Sequence, residues 1–574
     1  MAKIVTAEQM RAIEQASDAR GHTYADMMEL AGRAVARRVA ELLAGIEQPR
    51  VAILVGPGNN GGDGLVAGRV LLETLEGASV GVYLLKPRDP DDDPVFSAAQ
   101  QAGAFVADAE NDAAQGYRVL QNLVANADVL IDALFGTSVR LPIKGEAAKV
   151  LQAVRKALIA REAEALRPPL VTPAHPRDPG RARRPLIVAV DLPSGLDPDT
   201  GEIDKAALAA DETITFAAAK PGLLTFPGAE AVGVLHIADI GLPERLDELE
   251  QVSLSLIDAG EVGARLPQRP RDSHKGTFGK AMVVAGSLNY TGAAYLAAAA
   301  AYRSGAGLVT VGAPQIIVPV LAGMLPEATW ILLPHDLGVL NEAAVKVLRK
   351  ELEGYTSLLL GPGFGREETT GEFLRELLRP REERRPERII GFVRVAGVEV
   401  ETPEEDLGAL PPLVIDADGL NLLAGIEDWP ALLPPNTILT PHPGEFARLS
   451  GLEIAEIQAD RLAHARDKAA AWNAIVVLKG AFTVVAAPDG RAAIAPFASA
   501  ALARAGTGDV LSGIIAGLLA QGLEPFDAAL CAVWLHGAAG ERAAGQIGTT
   551  AGVVAGDLLE HLPGAFADAE RARH

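Results

Sequence analysis

Along this chain, short runs of aliphatic and β-branched residues recur, each closed by glycine, proline or aspartate, with longer segments of helical periodicity between them. In the first half VAILVG (51–56), SVGVYLL (79–85), DVLIDAL (128–134), LIVAVDLP (186–193), ETITFAA (212–218) and GVLHIAD (233–239) read as buried strands. LVAGRVLLETLEG (65–77) and AAKVLQAVRKALIA (147–160) read as helices between them. The second half repeats the grammar with AMVVAGS (281–287), GLVTVGAP (307–314), SLLLGPG (357–363), PLVIDADG (412–419), TILTPHP (437–443) and AIVVLKG (474–480) as strands. TGAAYLAAAAAYRSGA (291–306), EFARLSG (445–451) and DVLSGIIAGLLAQG (509–522) are its helices. Alternation of this kind predicts an α/β protein, its sheets largely parallel and covered by helices on both faces.

A length of 574 residues calls for at least two domains. The stretch between the two blocks sets the expected division at 1–245 and 268–574, with 246–267 as a linker. Two segments dense in proline and charge, 161–185 and 379–410, read as surface insertions, because such composition buries no core. The single cysteine, Cys531, excludes a disulfide framework and a Cys-cluster metal site; within AALCAVWLHG it reads as a buried structural thiol. A net charge of −22 repels phosphate backbones, so no nucleic-acid partner is expected. The opening MAKIVTAEQMRAIEQ lacks the pattern of a signal peptide, and no uncharged apolar run reaches the ~18 residues of a membrane helix. A cytoplasmic homo-oligomer without a membrane partner is the expectation.

Candidate chemistry gathers at strand ends. GPGNNGGDGLVAGR (56–69) follows a strand and opens a helix; its glycines permit tight turns, and a helix N-terminus offers N–H groups to an anion. The run matches neither the dinucleotide fingerprint nor a P-loop. Its NNGGD core adds two carboxamides and a carboxylate as hard oxygen ligands. Asp132 in IDALFGTSVR, and Asp191 and Ser194 in VAVDLPSGLD, stand at two further strand ends. Ligands of open parallel sheets collect there, and an oxygen-rich corner suits a monovalent or hard cation. Asp191 is also a candidate general acid/base. For any one of these aspartates, helix N-capping is the alternative reading.

GPGNNGGDG, DALFGTSVR, VDLPSGLD and TFAAAKPGL together resemble the NAD(P)H-hydrate epimerase family across residues 1–245. The resemblance implies a Rossmann-like three-layer αβα domain that interconverts the R and S forms of the 6-hydroxylated cofactors NADHX and NADPHX. It implies substrate contacts from Asn59, Asn60, Gly61, Gly62 and Asp63 and from the turn Gly136, Thr137, Ser138, Val139, Arg140, Leu141 and Pro142. It further implies K⁺ held by Asn60, Asp132 and Ser194, with Asp191 as the acid/base. Where many relatives read GTG, this chain has Gly136-Thr137-Ser138, and serine resists positive φ.

In the second half AGTGDVLSG (505–513) places glycines around Thr507 and Asp509 at the start of an apolar helix. Such a turn can stabilise charge on a transferring phosphoryl group, and the aspartate can take a proton from an attacking hydroxyl. VIDADGLN offers Asp416, Asp418 and Asn421; TPHPGEF offers His442 and Glu445; KGAFT offers Lys479 or its neighbouring amides to phosphate oxygens. With HKGTFG, GSLNYTGAA and GPGFG these motifs resemble the ADP-dependent (S)-NAD(P)H-hydrate dehydratase family, ribokinase-like in fold, over residues 268–562. The resemblance implies that Lys479, Gly480, Ala481, Phe482, Thr483 and Gly508 bind ADP, and Mg²⁺ is expected to manage the charge of the nucleotide. By the same resemblance Ala293, Gly363 or Gly365, His442 and Asp509 contact the hydrated nicotinamide, with Asp509 catalytic. A GxGD turn alone also serves a sugar or vitamin kinase; HPGE, HKGTFG and the companion domain separate the two readings.

Overall fold

A computed structural model describes residues 2–165, 184–379 and 409–573; most of each proline-rich insertion, 161–185 and 379–410, lies outside them. The chain divides into two compact units, 2–252 and 253–574.

The N-terminal unit holds seven parallel strands in the order Phe105–Asp108, Ser79–Leu84, Arg50–Val55, Val129–Ala133, Leu186–Val190, Glu212–Phe216, Val234–Ala238. Its central strand shows why the sheet needs helices on both faces. Val51, Ile53 and Val55 join one core, and Ala52 and Leu54 the other. Strand order reverses between Arg50–Val55 and Val129–Ala133, and the crevice for a ligand opens beyond their carboxyl ends.

The C-terminal unit is built on the order Leu254–Leu256, Ala492–Ile494, Val484–Ala486, Ile475–Leu478, Ile438–Leu439, Leu413–Ile415, Ser357–Leu360, Lys280–Val284, Leu308–Pro314, Thr329–Leu333. From Ile475–Leu478 to Thr329–Leu333 every pairing is parallel, whereas Val484–Ala486 runs antiparallel to both neighbours. The helix Pro525–Ile547 carries Cys531, fully buried as expected, and burial pushes its thiol up to about 12. The fold class is the expected one: a Rossmann-like αβα unit followed by a ribokinase-like α/β unit.

Two differences from the sequence reading have physical causes. Residues 246–267, expected as a linker, are built into the two units. Leu246 and Val252 bury in the first core, while the strand Leu254–Leu256 and the helix Ala259–Arg265 belong to the second unit. The helix expected over 65–77 begins six residues earlier, as Asn59–Thr74. Its glycines belong to the helix because it lies so close to the sheet: a Cβ on Gly64 would stand 2.6 Å from the Ala133 Cβ.

Two candidate active sites

In the N-terminal unit Asn59, Asn60, Gly61, Gly62 and Asp63 form the first turns of the helix Asn59–Thr74, whose N-cap, Gly58, supplies no side-chain cap. Arg88 braces the preceding turn by donating to the carbonyls of Gly56 (2.7 Å) and Gly58 (3.2 Å), a support that sequence reasoning missed. The glycines differ in purpose. A Cβ on Gly61 would lie 2.1 Å from the Gly56 carbonyl oxygen, whereas one on Gly58 would meet open space. Gly61→Ala is therefore expected to cost more than about 3 kcal/mol of stability. Gly58→Ala should cost less than about 1 kcal/mol. Chemical denaturation of the whole chain measures both.

Asp132 ends its strand fully buried; Oδ2 accepts from the Ser194 N–H (2.9 Å) and Oδ1 from the Ser194 hydroxyl (2.7 Å). The Ser194 Oγ in turn accepts from the Phe135 N–H (3.0 Å), which ties the loop after Val129–Ala133 to the loop after Leu186–Val190. Burial raises the Asp132 carboxyl, opposed by the hydrogen bonds from Ser194, and these bonds bring it no cationic partner. Gly136 packs beside the Asn60 carboxamide, whose buried Nδ2 has no hydrogen-bond partner. A buried carboxylate without a counter-charge, a serine hydroxyl and the Asn60 carboxamide oxygen are hard oxygen donors of the kind that suit a monovalent cation, whereas the unpartnered Nδ2 is a hydrogen-bond donor and cannot ligate one. The turn from Gly136 to Pro142 extends outward from this corner, with the Val139 N–H donating to the Gly136 carbonyl (3.1 Å). Neither Gly136 nor Ser138 adopts positive φ, so serine fits the turn without strain.

Asp191 follows the strand Leu186–Val190 at φ +62°, a region non-glycine residues rarely occupy. Its Oδ1 accepts from Lys220 Nζ (2.6 Å) and from the Thr215 hydroxyl (2.9 Å). Lys220 is 1% exposed and also donates to Thr215 Oγ1 (2.8 Å). Asp63 is pushed well above the usual carboxylate range, first by burial and then by the charges of Asp191 and Glu14. Glu14, from the helix Ala7–Ala19, is raised by burial and then by Asp191. One lysine thus faces three carboxyl groups. Lys220 lies in the TFAAAKPGL motif, yet no local pattern marks it as part of a site.

In the C-terminal unit the candidate residues follow the carboxyl ends of five neighbouring parallel strands, except Gly508 and Asp509, which open the helix Thr507–Ala520. Ala293 packs against Gly363, where a Cβ would stand 2.8 Å from the alanine methyl. Gly365 donates its N–H to Asp418 Oδ2 (3.0 Å), which shapes the GPGFG turn. The helix Thr507–Ala520 starts from Gly506 at φ +87° with no side-chain cap, so Asp509 stands in its first turn without capping it. Buried His536, neutral because burial lowers it to about 4, holds that turn by donating from Nε2 to the Thr507 carbonyl (2.9 Å).

Lys479 is the hub. Its ammonium donates to Asp416 Oδ1 (2.8 Å), lies 3.6 Å from Glu445 Oε2, and is the nearest group to the position a Cβ on Gly508 would take (3.5 Å). Burial alone would lower its amine, but Asp416 and Glu445 overcome that and raise it. Asp509 is pushed up to about 7, first by burial and then by the charge of Asp416. Glu445 is raised to about 6 by burial. His442 and Glu445 form a reciprocal cap on the helix Pro443–Ser450: His442 Nδ1 accepts from the Gly444 N–H (3.0 Å), and Glu445 Oε2 accepts from the His442 N–H (2.8 Å). The imidazole, lowered first by burial and then by Lys479, has its Nε2 3.4 Å from Glu445 Oε1. Beyond Lys479 the turn continues through Gly480, Ala481, Phe482 and Thr483, where the Thr483 hydroxyl donates to the Gly480 carbonyl (2.8 Å).

HKGTFG is not brought to this site. It forms the short turn Lys275–Phe278 at the amino end of Lys280–Val284, where Gly279 allows close approach to the Ala520 carbonyl. Among the described residues no three His, Cys, Asp or Glu side chains converge to hold a metal, and no helix is long and apolar enough to cross a membrane.

Comparison with known proteins agrees with both units. The family model of the YjeF-related protein N-terminus matches residues 24–222, and that of NAD(P)H-hydrate dehydratase matches 281–386 and 401–564. A bifunctional NAD(P)H-hydrate repair enzyme from Moorella thermoacetica is 39% identical over 547 residues, covering 94% of this chain and 91% of the relative. One from Salinibacter ruber is 36% identical over 557 residues, with the same coverage of 94% and 91%. A solved ADP/ATP-dependent NAD(P)H-hydrate dehydratase from Bacillus subtilis, co-crystallised with ATP and Mg²⁺, is 32% identical and covers 55% of this chain and 99% of its own, at a TM-score of 0.45. The chain belongs to the family of bifunctional NAD(P)H-hydrate repair enzymes.

Proposed function

We propose that the two sites act in sequence on hydrated nicotinamide cofactors, NADHX and NADPHX. The N-terminal site equilibrates the R and S epimers at C6, and the C-terminal site returns the S epimer to NAD(P)H while ADP becomes AMP and phosphate. The observation that carries the reading is the convergence of the Lys479 ammonium on Gly508 beside Asp509, a cationic cradle next to a base.

In the C-terminal site Asp509 takes the proton of the C6 hydroxyl as its oxygen attacks the β-phosphorus of ADP. The bond from that phosphorus to its bridging oxygen breaks and AMP departs. Lys479 and the N–H groups at the start of Thr507–Ala520 hold the charge on the phosphoryl oxygens. Hydroxide is a poor leaving group, whereas phosphate departs from C6 with the C–O electron pair as C5 gives its proton to solvent, and the C5–C6 double bond is restored. Lys479 to Thr483 and Gly508 bind the nucleotide; Ala293, Gly363 or Gly365, His442 and Asp509 line the nicotinamide side. Lys479 engages Asp416 through Oδ1 and lies 3.6 Å from Glu445, while the buried Asp416 Oδ2 has no hydrogen-bond partner. Mg²⁺ would arrive on the phosphates of ADP, as is usual for that ion.

In the N-terminal site Asn59 to Asp63 and the turn from Gly136 to Pro142 enclose the hydrated ring, and Asp191 moves the proton. Asn60, Asp132 and Ser194 would hold K⁺, which when bound would offset the charge of Asp132 and fix the two loops. Homo-oligomeric assembly in the reducing cytoplasm completes the proposal. The test supplies pure S-NADHX with ADP. One AMP and one phosphate should form per NADH regenerated, and ADP should stay intact without the hydrate.

A further inference from the structure

The N-terminal site contains a group that none of the expected roles uses, the buried amine of Lys220. Placing an ammonium where only 1% of the residue meets solvent is costly unless partners replace its water. Here three acceptors do so: Asp191 Oδ1 at 2.6 Å, Thr215 Oγ1 at 2.8 Å and the Phe216 carbonyl at 3.3 Å. Thr215, which accepts from Lys220, passes its own hydroxyl hydrogen to the same Asp191 oxygen at 2.9 Å. Both donors therefore converge on Oδ1, and none of these bonds reaches Oδ2. The backbone is fixed as well: Asp191 is held at φ +62° while its N–H donates to the Ile214 carbonyl at 2.8 Å. A strained residue persists only where its surroundings over-determine it, and such residues gather at working sites.

We infer that Lys220 is the positioning residue of the N-terminal site: with Thr215 it locks Oδ1 of Asp191 and leaves Oδ2 as the atom that exchanges a proton with the hydrated cofactor. The inference rests on the proposed epimerase reading. Lys220 touches no substrate in this scheme; it fixes the direction of a carboxylate and supplies the charge that keeps it compensated beside Asp63 and Glu14.

The test uses the full chain and R-NADHX, with dehydration of pure S-NADHX by the same polypeptide as the control that the variant is made and its other site intact. In Lys220→Met the kcat of epimerisation should fall on the order of a hundredfold, with KM little changed. Thr215→Val removes only the secondary donor and should lower kcat less, again without moving KM. An unchanged kcat in Lys220→Met, or a loss carried by KM or by a smaller folded fraction alone, overturns the inference. If Lys220→Met does not fold, Thr215→Val decides: a lower kcat at constant KM supports the assignment and a wild-type kcat refutes it. Failure of the unmodified chain to epimerise R-NADHX would instead remove the epimerase reading itself.

Discussion

Asp509→Asn is expected to lower the rate of S-NADHX dehydration by about 10²- to 10⁴-fold while leaving ADP binding intact. The carboxylate sits in the first turn of Thr507–Ala520 but caps nothing, so the helix loses no hydrogen bond when a carboxamide replaces it. What disappears is a proton acceptor beside the Lys479 and Gly508 cradle. The wild-type pH profile should carry the same signature. Asp509 is pushed up to about 7 by burial and then by Asp416, and only its ionised form accepts a proton. The kcat of dehydration should rise with pH through about 7 and level off above it, and the residual activity of Asp509→Asn should lack that limb. Single-turnover kinetics with ADP in excess, across pH, measures both effects. Activity that persists at the wild-type level would remove Asp509 from the base role.

The second large effect falls on the other unit. Asp191→Ala should slow clearance of R-only substrate by about 10²- to 10⁴-fold, and the S epimer should still be dehydrated at the wild-type rate. The substitution removes the oxygen that anchors Lys220 and Thr215 together with the one free to meet substrate. Alanine at φ +62° is itself unfavourable, so Asp191→Asn, which tolerates that region better, serves as the companion variant. Following the two epimers separately by chromatography gives the result. Equal clearance of R by wild type and both variants would exclude Asp191 from the epimerase mechanism.

Much of this was legible in the sequence because glycine turns and strand ends are local. GPGNNGGDG and AGTGD announce a close approach and a helix start within a few residues, and both fall where the parallel sheets open. Strand positions were readable from short apolar runs, apart from brief ones such as Phe105–Asp108 and the antiparallel Val484–Ala486. The start of Asn59–Thr74 was misread because six residues rich in glycine suggest a loop, and only the nearby sheet shows why they are helical. What no local pattern carries is pairing at a distance. Lys220 meets an aspartate 29 residues earlier, and Lys479 meets Asp416 across 63 positions. His442 was visible as chemistry, but its service as a helix cap appeared only with the geometry of Glu445.

The most direct measurement incubates the unmodified chain with R-NADHX and ADP, follows the absorbance band of reduced nicotinamide, and quantifies AMP and phosphate. The account predicts complete recovery of NADH from the R epimer, with one AMP and one phosphate formed per NADH. No recovery from either epimer, alongside ATP-dependent phosphorylation of an alcohol, would contradict it.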